Sequence, residues 1–308
     1  MDIIFIPSKT ICGTPVHSRL RSFKEYFYNM VYKDEVEKKK YVFLSMPPFH
    51  NFKFFLNPRR SVILDIRDGW SIAQATGYGG NVKCKPLKSI FTRQVERFLI
   101  RRAFLTITCT NGLHKYLEEI SSRNVILIPN GISGEDYKRA QSLKAEKKIN
   151  EGDELVFCCA GKFSEYGPDK VEKLCLTIMK RYSSKKIKIQ LIGSNEEKNI
   201  WLDRFLREKS GGQAYLDIVP RKSRESLYEV MARADYGMTI LRDPSYEFGT
   251  KIYDYIALGL PVVNYFDKPN NFTDYFDACL DIGFGRNNIV PEIRRDLLIE
   301  QGLKDIDF

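Results

Sequence analysis

From about residue 40 onward, short apolar runs alternate with longer stretches of helical period. The runs YVFLSM (41–46), SVILDI (61–66), FLTITC (104–109), VILI (125–128), LVFCCA (155–160), IKIQLI (187–192), LDIV (216–219), YGMTIL (236–241) and PVVNYF (261–266) read as strands. Between them, apolar residues at helical spacing predict helices near 88–102, 112–122, 169–182, 197–208, 223–234 and 250–259. Strands that alternate with helices build βαβ units, and therefore parallel sheets covered by helices on both faces. The predicted class is α/β, with two Rossmann-like parallel-sheet domains.

The segment DYKRAQSLKAEKKINEGDE is charged and poor in apolar spacing, and it separates VILIPNG from LVFCCA. It predicts a first domain over 1–145, a second over 146–290 and a helical tail over 291–308. Open parallel sheets bind ligands beyond the carboxyl ends of their strands, so two such domains facing each other would enclose a cleft. One further helix is expected at 18–33, where Leu20, Phe23, Phe27, Met30 and Val31 share a face and Arg19, Arg21, Lys24 and Lys33 surround them. Two readings fit it: a helix packed on its own domain, or one lying in a membrane interface.

The chain has 308 residues, 43% of them hydrophobic, enough for two cores. It has no stretch of roughly 18 apolar residues and no basic n-region at its start, so a cytoplasmic protein is expected. The seven cysteines include no CxxC pair and are expected to be reduced and buried. Charge divides unevenly: residues 1–140 hold 23 Lys and Arg against 12 Asp and Glu, a net +11, whereas residues 141–308 hold 26 against 27. A basic first half predicts an anionic partner, or else a solvated basic face. No RRM, KH or helix-turn-helix pattern is present, and nucleic acid is not an expected partner.

The segment ADYGMTILRDPSYEFGTKIYDYIALGLPVV (234–263) carries the most chemistry: a strand, a loop with Pro244, Ser245 and Gly249, a helix, then Gly259 and a second strand. A loop feeding a helix N-terminus offers free N–H groups to a phosphate. Asp254 stands three residues after Lys251, placing a carboxylate and a cation on one helical face.

This segment closely resembles the donor-site signature of family-4 glycosyltransferases of the GT-B fold. Phe248 and Gly249 match its Phe-Gly, Asp254 its second acid, and Ala257, Gly259, Pro261 and Val262 its tail. The first acid of the family's pair falls on Tyr246, and Glu247 is assigned that role with a one-residue shift. AGKFSEYGPDK resembles the Gly-Arg-Leu…Lys segment, with Gly161, Lys162 and Lys170 in its places, and IQLIGS resembles the strand that ends near Gly193. Val219 to Leu227 resembles the stretch that lies against the nucleobase, and IPNGIS matches the turn that closes the first domain. LSMPPFHNF and VILDIRDGW resemble strand ends of bacterial polysaccharide glycosyltransferases of this group.

The resemblance implies a nucleotide-sugar-dependent enzyme that transfers a sugar with retention to a glycan or polyprenyl-diphosphate-linked acceptor in surface polysaccharide synthesis. Lys162, Lys170 and Glu247 would be catalytic; Gly161, Gly193, Phe248, Gly249, Thr250, Lys251 and Asp254 would bind the donor; Asp65, Arg67, Asp68 and Trp70 would face the acceptor. Neither a metal nor another cofactor is expected, since Asp305-Ile306-Asp307 at the chain end is not a strand-end DxD site. His17, His50 and His114 are candidate bases only for an inverting variant. A peripheral contact with the anionic inner face of the plasma membrane is expected from the basic first half. The short first domain and the displaced first acid leave a second reading, a non-catalytic GT-B subunit that supports a partner glycosyltransferase.

Overall fold

The computed structural model describes residues 2–6, 15–33, 40–46, 55, 60–77, 85–146, 152–161, 163 and 167–308. Contacts divide the chain into two units, residues 1–134 with 242–247 and 292–308, and residues 135–241 with 248–291. In the first unit the strands are β1 (Asp2–Ile6), β2 (Lys40–Met46), β3 (Ser61–Ile66), β4 (Leu105–Thr108) and β5 (Ile126–Leu127), with helices α1 (Pro15–Lys33), α2 (Trp70–Thr76), α3 (Pro86–Arg102) and α4 (Asn111–Ser121). The second unit begins with α5 (Gly134–Glu146) and continues through β6 (Glu154–Ala160), α6 (Pro168–Arg181), β7 (Lys186–Ile192), α7 (Ile200–Ser210), β8 (Ala214–Val219), α8 (Arg224–Ala232), β9 (Tyr236–Met238), α9 (Lys251–Ala257), β10 (Val262–Val263) and α10 (Asn271–Phe276). The last helix, α11 (Arg295–Leu303), returns to the first unit.

Each unit has one five-stranded sheet with every pairing parallel. In the first, the strands lie in chain order, β1-β2-β3-β4-β5. Their side chains alternate between faces as the strand period requires. Val42, Leu44, Met46, Val62, Leu64 and Ile66 pack with α3 and α4, whereas Tyr41, Phe43, Ile63, Leu105 and Ile107 pack with α1 and α11. In the second, the order is β10-β9-β6-β7-β8. The chain moves from β6 outward to β7 and β8, then crosses back to β9 on the other side.

The segment read from sequence as a linker is largely helical. α5 is charged on its outer face, but Ala140 is buried and Gln141 Nε2 donates to the Ala257 carbonyl at the end of α9 (2.8 Å). That hydrogen bond, with Lys144 lying over Gly259, holds α5 on the second unit, so contacts place the division near residue 134 instead of 145. The tail beyond 291 is helical, and it contributes Leu298, Ile299, Leu303 and Phe308 to the first core. Arg295, almost wholly buried, fixes it there: its guanidinium donates to the Asn130 and Gly131 carbonyls and to Ser18 Oγ. β1 has no counterpart among the strands read from sequence.

α1 resolves the two readings of residues 18–33 in favour of packing. Leu20, Phe23 and Phe27 are buried against Phe43 and Phe308, so this apolar face belongs to the protein's own core and not to a membrane. Arg19 is buried on the same helix, paired with Asp65 and donating to the Pro129 carbonyl. The cysteines at 109, 158, 159 and 175 are buried and free, and burial pushes the Cys109, Cys159 and Cys175 thiols up to about 12.

A close approach in the second unit positions the region treated next. Gly237 of β9 lies against the ring of Tyr255 on α9; a Cβ there would stand 2.4 Å from Tyr255 Cγ. Tyr255 reaches past β9, and its hydroxyl accepts the Ala160 N–H at the end of β6 (3.0 Å). Gly237→Ala is therefore expected to destabilise the protein by about 1–3 kcal/mol, measured as a lower denaturation midpoint with an unchanged denaturant slope.

Candidate functional site

In an open parallel sheet, the crevice for a ligand forms where two neighbouring strands feed their connections in opposite directions. In the second unit those strands are β6 and β9. Gly161 ends β6 with φ +100, and its N–H donates to the Ile192 carbonyl. The left-handed backbone favours glycine, and a Cβ there would meet nothing within 4 Å among the described residues. Gly193 stands beside it after β7, facing Arg221 beyond β8. Lys170, in the first turn of α6, extends Nζ to the Leu241 carbonyl (3.0 Å) in the loop after β9. Three of the residues assigned from sequence, Gly161, Gly193 and Lys170, thus lie along the carboxyl edge of one sheet. Lys162 lies outside the described residues.

Asp254 sits deeper, only 2% exposed. Oδ2 accepts from Lys251 Nζ (3.0 Å), and Oδ1 accepts from Tyr228 Oη (2.5 Å) and Arg224 Nη2 (3.2 Å). Arg224 also grips Asp136 of α5 through Nε and Nη2 (3.1 and 2.9 Å). Burial alone would raise the Asp254 pKa, but the charges of Lys251 and then Arg224, with the hydrogen bonds from Tyr228 and Lys251, bring it below the ordinary aspartate value. Both oxygens are thus engaged by the protein itself, and a ribose hydroxyl reaching Asp254 would take the place of one of these donors. Sequence reasoning reached Lys251 through its i,i+3 spacing. Arg224, Tyr228 and Asp136 come from other helices and left no local signal.

The helix beginning at Lys251 has only seven residues, and its N-cap Thr250 makes no side-chain cap hydrogen bond. Lys251 turns onto Asp254 instead of standing clear at the helix start. Phe248 is buried among Phe272, Tyr275 and Phe276, so its ring serves the core. Gly249 follows it with Leu241 and Thr239 at van der Waals distance. Glu247 belongs by its contacts to the first unit, with Arg242–Glu247 as a whole; its Oε2 accepts the Arg242 N–H (3.2 Å), closing that loop. Thr110 Oγ1 donates to the Tyr246 carbonyl in the same loop (3.0 Å).

At the end of β3 in the first unit, Asp65 is buried. Its main partner is Arg19, at 3.0 Å, with Arg67 Nε more distant at 3.9 Å. This enclosed ion pair does not present Asp65 to a sugar, whereas Asp68 is exposed and Trp70 half-buried. Glu96 of α3 holds Trp70 in place by accepting the Trp70 N–H (2.6 Å) and the Ser71 N–H (3.2 Å) at the start of α2, together with the Ser71 hydroxyl. Ser71 Oγ and Tyr116 Oη extend this chain. Glu96 is fully buried and was missed from sequence, where it reads as one acid among the cations of a surface helix. Burial raises its pKa, against the opposing hydrogen bonds from Ser71 and Trp70. His114 is occupied structurally, its Nε2 at 2.7 Å from the Val125 carbonyl. Among the described residues, no three His, Cys, Asp or Glu side chains gather as a metal site requires.

No family model matches the sequence, and no curated protein does. Solved structures do. The pneumococcal O-GlcNAc transferase GtfA, in complex with UDP and GlcNAc, matches with TM-score 0.52 at 14% identity over 92% of this chain and 51% of its own; a chain of a GtfA/B complex matches with TM-score 0.52 at 12% identity. Sucrose-phosphate synthase from Thermosynechococcus elongatus matches with TM-score 0.54 at 16% identity over 92% of this chain and 68% of its own. Anabaena Alr3699/HepE, in complex with UDP and glucose, matches with TM-score 0.51 at 14% identity, covering 85% and 80%. The fold is of the GT-B type. This chain spans about half the length of GtfA.

The buried cluster makes a pH-dependent contribution of known sign. An aspartate whose folded pKa is depressed adds stability that is present above the unfolded value and lost as pH falls through the folded one. Asp254→Asn removes the charge that Arg224 and Lys251 share; both cations are partly exposed and Arg224 keeps Asp136, so the expected cost is about 1–2 kcal/mol at neutral pH. The gap from wild type should stay flat down to about pH 4 and close below it, measured by urea denaturation across a pH series.

Proposed function

We propose that this protein is a glycosyltransferase that takes a sugar from a nucleotide-sugar donor held by its second unit. The observation that carries this reading is that Gly161, Gly193 and the contact of Lys170 with Leu241 all lie at the carboxyl edge of the second sheet, which reverses direction between β6 and β9. The GT-B neighbours solved with UDP support it. Lys170 faces the departing diphosphate, and the sequence resemblance assigns Lys162 the same role. Negative charge grows on that group as the glycosidic bond breaks, so fixed cations stabilise the transition state more than the ground state. Glu247 lies near the transferred sugar; Phe248, Gly249, Thr250 and Lys251 shape the donor loop through their backbone and packing; Asp254 anchors the helix beneath and meets the ribose when one of its donors yields. Asp68 and Trp70 contact the acceptor, a glycan or a polyprenyl-diphosphate-linked sugar, with Asp65 and Arg67 positioning them.

Transfer proceeds with retention and serves surface polysaccharide synthesis at the inner face of the plasma membrane. No described helix is long and apolar enough to cross a membrane, so the contact is peripheral in this reading.

A second reading, a non-catalytic subunit that supports a partner glycosyltransferase, is favoured by one observation: Asp254 is only 2% exposed and is already held by three donors of the protein itself.

Thermal unfolding against UDP-, GDP-, ADP- and CMP-sugars separates the two. A donor at a hundredfold excess over its Kd stabilises the folded state by about 2.7 kcal/mol, and one nucleotide class is expected to raise Tm accordingly. Lys170→Ala, which removes a charged contact to phosphate, should weaken that ligand about tenfold or more. A folded wild-type protein that no nucleotide sugar stabilises would leave the supporting-subunit reading.

A further inference from the structure

α3 has two apolar faces. One is ordinary: Thr92, Glu96, Leu99 and Ile100 are buried against the sheet and its neighbours. The other points to solvent, where Leu87 is 85% exposed, Ile90 62%, Phe91 69% and Phe98 54%. At 3.6 residues per turn these four side chains fall within about 100° of arc on the side opposite the buried face. An isolated exposed leucine is unremarkable, but a three-turn stripe that includes two phenylalanines is not.

The exposed charges that α3 itself places around the stripe all have one sign. Lys88 and Arg102 run along one edge, Arg93 and Arg97 along the other, Lys85 stands at the N-cap and Arg101 in the last turn. The single acid of α3, Glu96, is on the buried face, bound to the start of α2. Beside the stripe, Arg93, Gln94, Arg97, Glu119, Ile120 and Ser122 line a shallow pocket of about 300 Å³. Arg97 Nε is buried there with no hydrogen-bond partner among the described residues, and Glu119 is the one carboxylate at the site. The first unit as a whole carries 25 Lys and Arg against 17 Asp and Glu, a net +8.

The geometry points to α3 as a membrane-docking helix that lays Leu87, Ile90, Phe91 and Phe98 into the interfacial layer of an anionic bilayer, with its flanking cations at the headgroup phosphates. An aromatic and aliphatic stripe bordered on both sides by cations suits that layer, where apolar groups enter the acyl boundary and Lys and Arg stay with the phosphates. A protein partner of ordinary composition would bring acids and hydrogen-bonding groups to the stripe itself, which offers it only Gln94. The inference deepens the peripheral-membrane part of the proposed function and rests on that part alone; the donor reading does not enter it.

Cosedimentation of the full chain with phosphatidylcholine vesicles, with and without phosphatidylglycerol, tests it. Wild type should bind only the anionic vesicles and lose binding as salt rises. Ile90→Ser with Phe91→Ser should lower partitioning at least tenfold. Lys88→Glu with Arg102→Glu should lower it by more than the roughly fivefold expected for each cation simply removed. All four sites are exposed, so Tm should match wild type; Leu176→Ser, an exposed apolar site in the second unit, should change neither reading. Phe91→Trp should show blue-shifted emission when anionic vesicles are added. Failure of wild type to bind, or binding that both double variants retain, overturns the inference. A vesicle-free, concentration-dependent oligomer that Ile90→Ser with Phe91→Ser abolishes would also overturn it, assigning the stripe to a second copy. Nucleotide-sugar stabilisation of the same preparation, measured without vesicles, reports separately on the donor site.

Discussion

The candidate donor site rests on a buried carboxylate. Asp254 gathers a cation from its own helix and both a cation and a hydroxyl from α8, while Arg224 carries the connection on to Asp136 of α5. Three helices are thereby fixed to one point under the carboxyl edge of the second sheet. A carboxylate this far from water is tolerable only when paired, and its three donors fix the geometry of the helices that carry them. The position of the loop between β9 and α9 follows from that constraint, because α9 cannot shift without breaking contacts to two other helices.

Above the cluster, backbone does much of the positioning. Gly161 leaves its strand in a conformation that few other residues adopt, and Tyr255 passes Gly237 to receive the last N–H of β6. The same tyrosine thus joins the two strands between which the crevice opens. Lys170 adds a cation at the same edge, its Nζ donating to the Leu241 carbonyl.

The sheets were legible because their strands are buried on both faces and so appear as unbroken apolar runs. β1 escaped because it lies at the sheet edge, with a face that is only partly covered. α5 escaped because its contacts to the second unit run through Ala140, Gln141 and Lys144, none of which gives an apolar period. At the site, local spacing found Lys251 beside Asp254, but Arg224 and Tyr228 lie about 30 residues away on another helix and become partners only through the fold. Phe248 matched a motif, yet its ring belongs to an aromatic cluster with α10. The helical moment at 18–33 was correctly seen and, of its two readings, the core-facing one held: Phe23 and Phe27 meet Phe43 instead of lipid. Amphipathic period reports that a helix has an apolar side, not what covers it. α3 shows the converse, since its apolar residues surround the helix and only the structure reveals which of them are left in water.

The difference in strand order between the two sheets bears on where chemistry can reside. The second sheet reverses direction between β6 and β9 and so opens a crevice at its carboxyl edge. The first runs β1 to β5 in chain order, and among its described strands no such reversal occurs. Diverging connections create a crevice, whereas connections that all advance the same way do not. Of the residues at the end of β3, Asp65 is withdrawn into its pair with Arg19, and Glu96 holds the start of α2 so that Trp70 stands half-exposed beside Asp68. Glu96 belongs to α3, the helix whose opposite face carries the exposed apolar stripe. One helix thus connects the strand-end residues to that stripe, and a rigid-body displacement of α3 would be felt at the Trp70 backbone through the carboxylate that holds it.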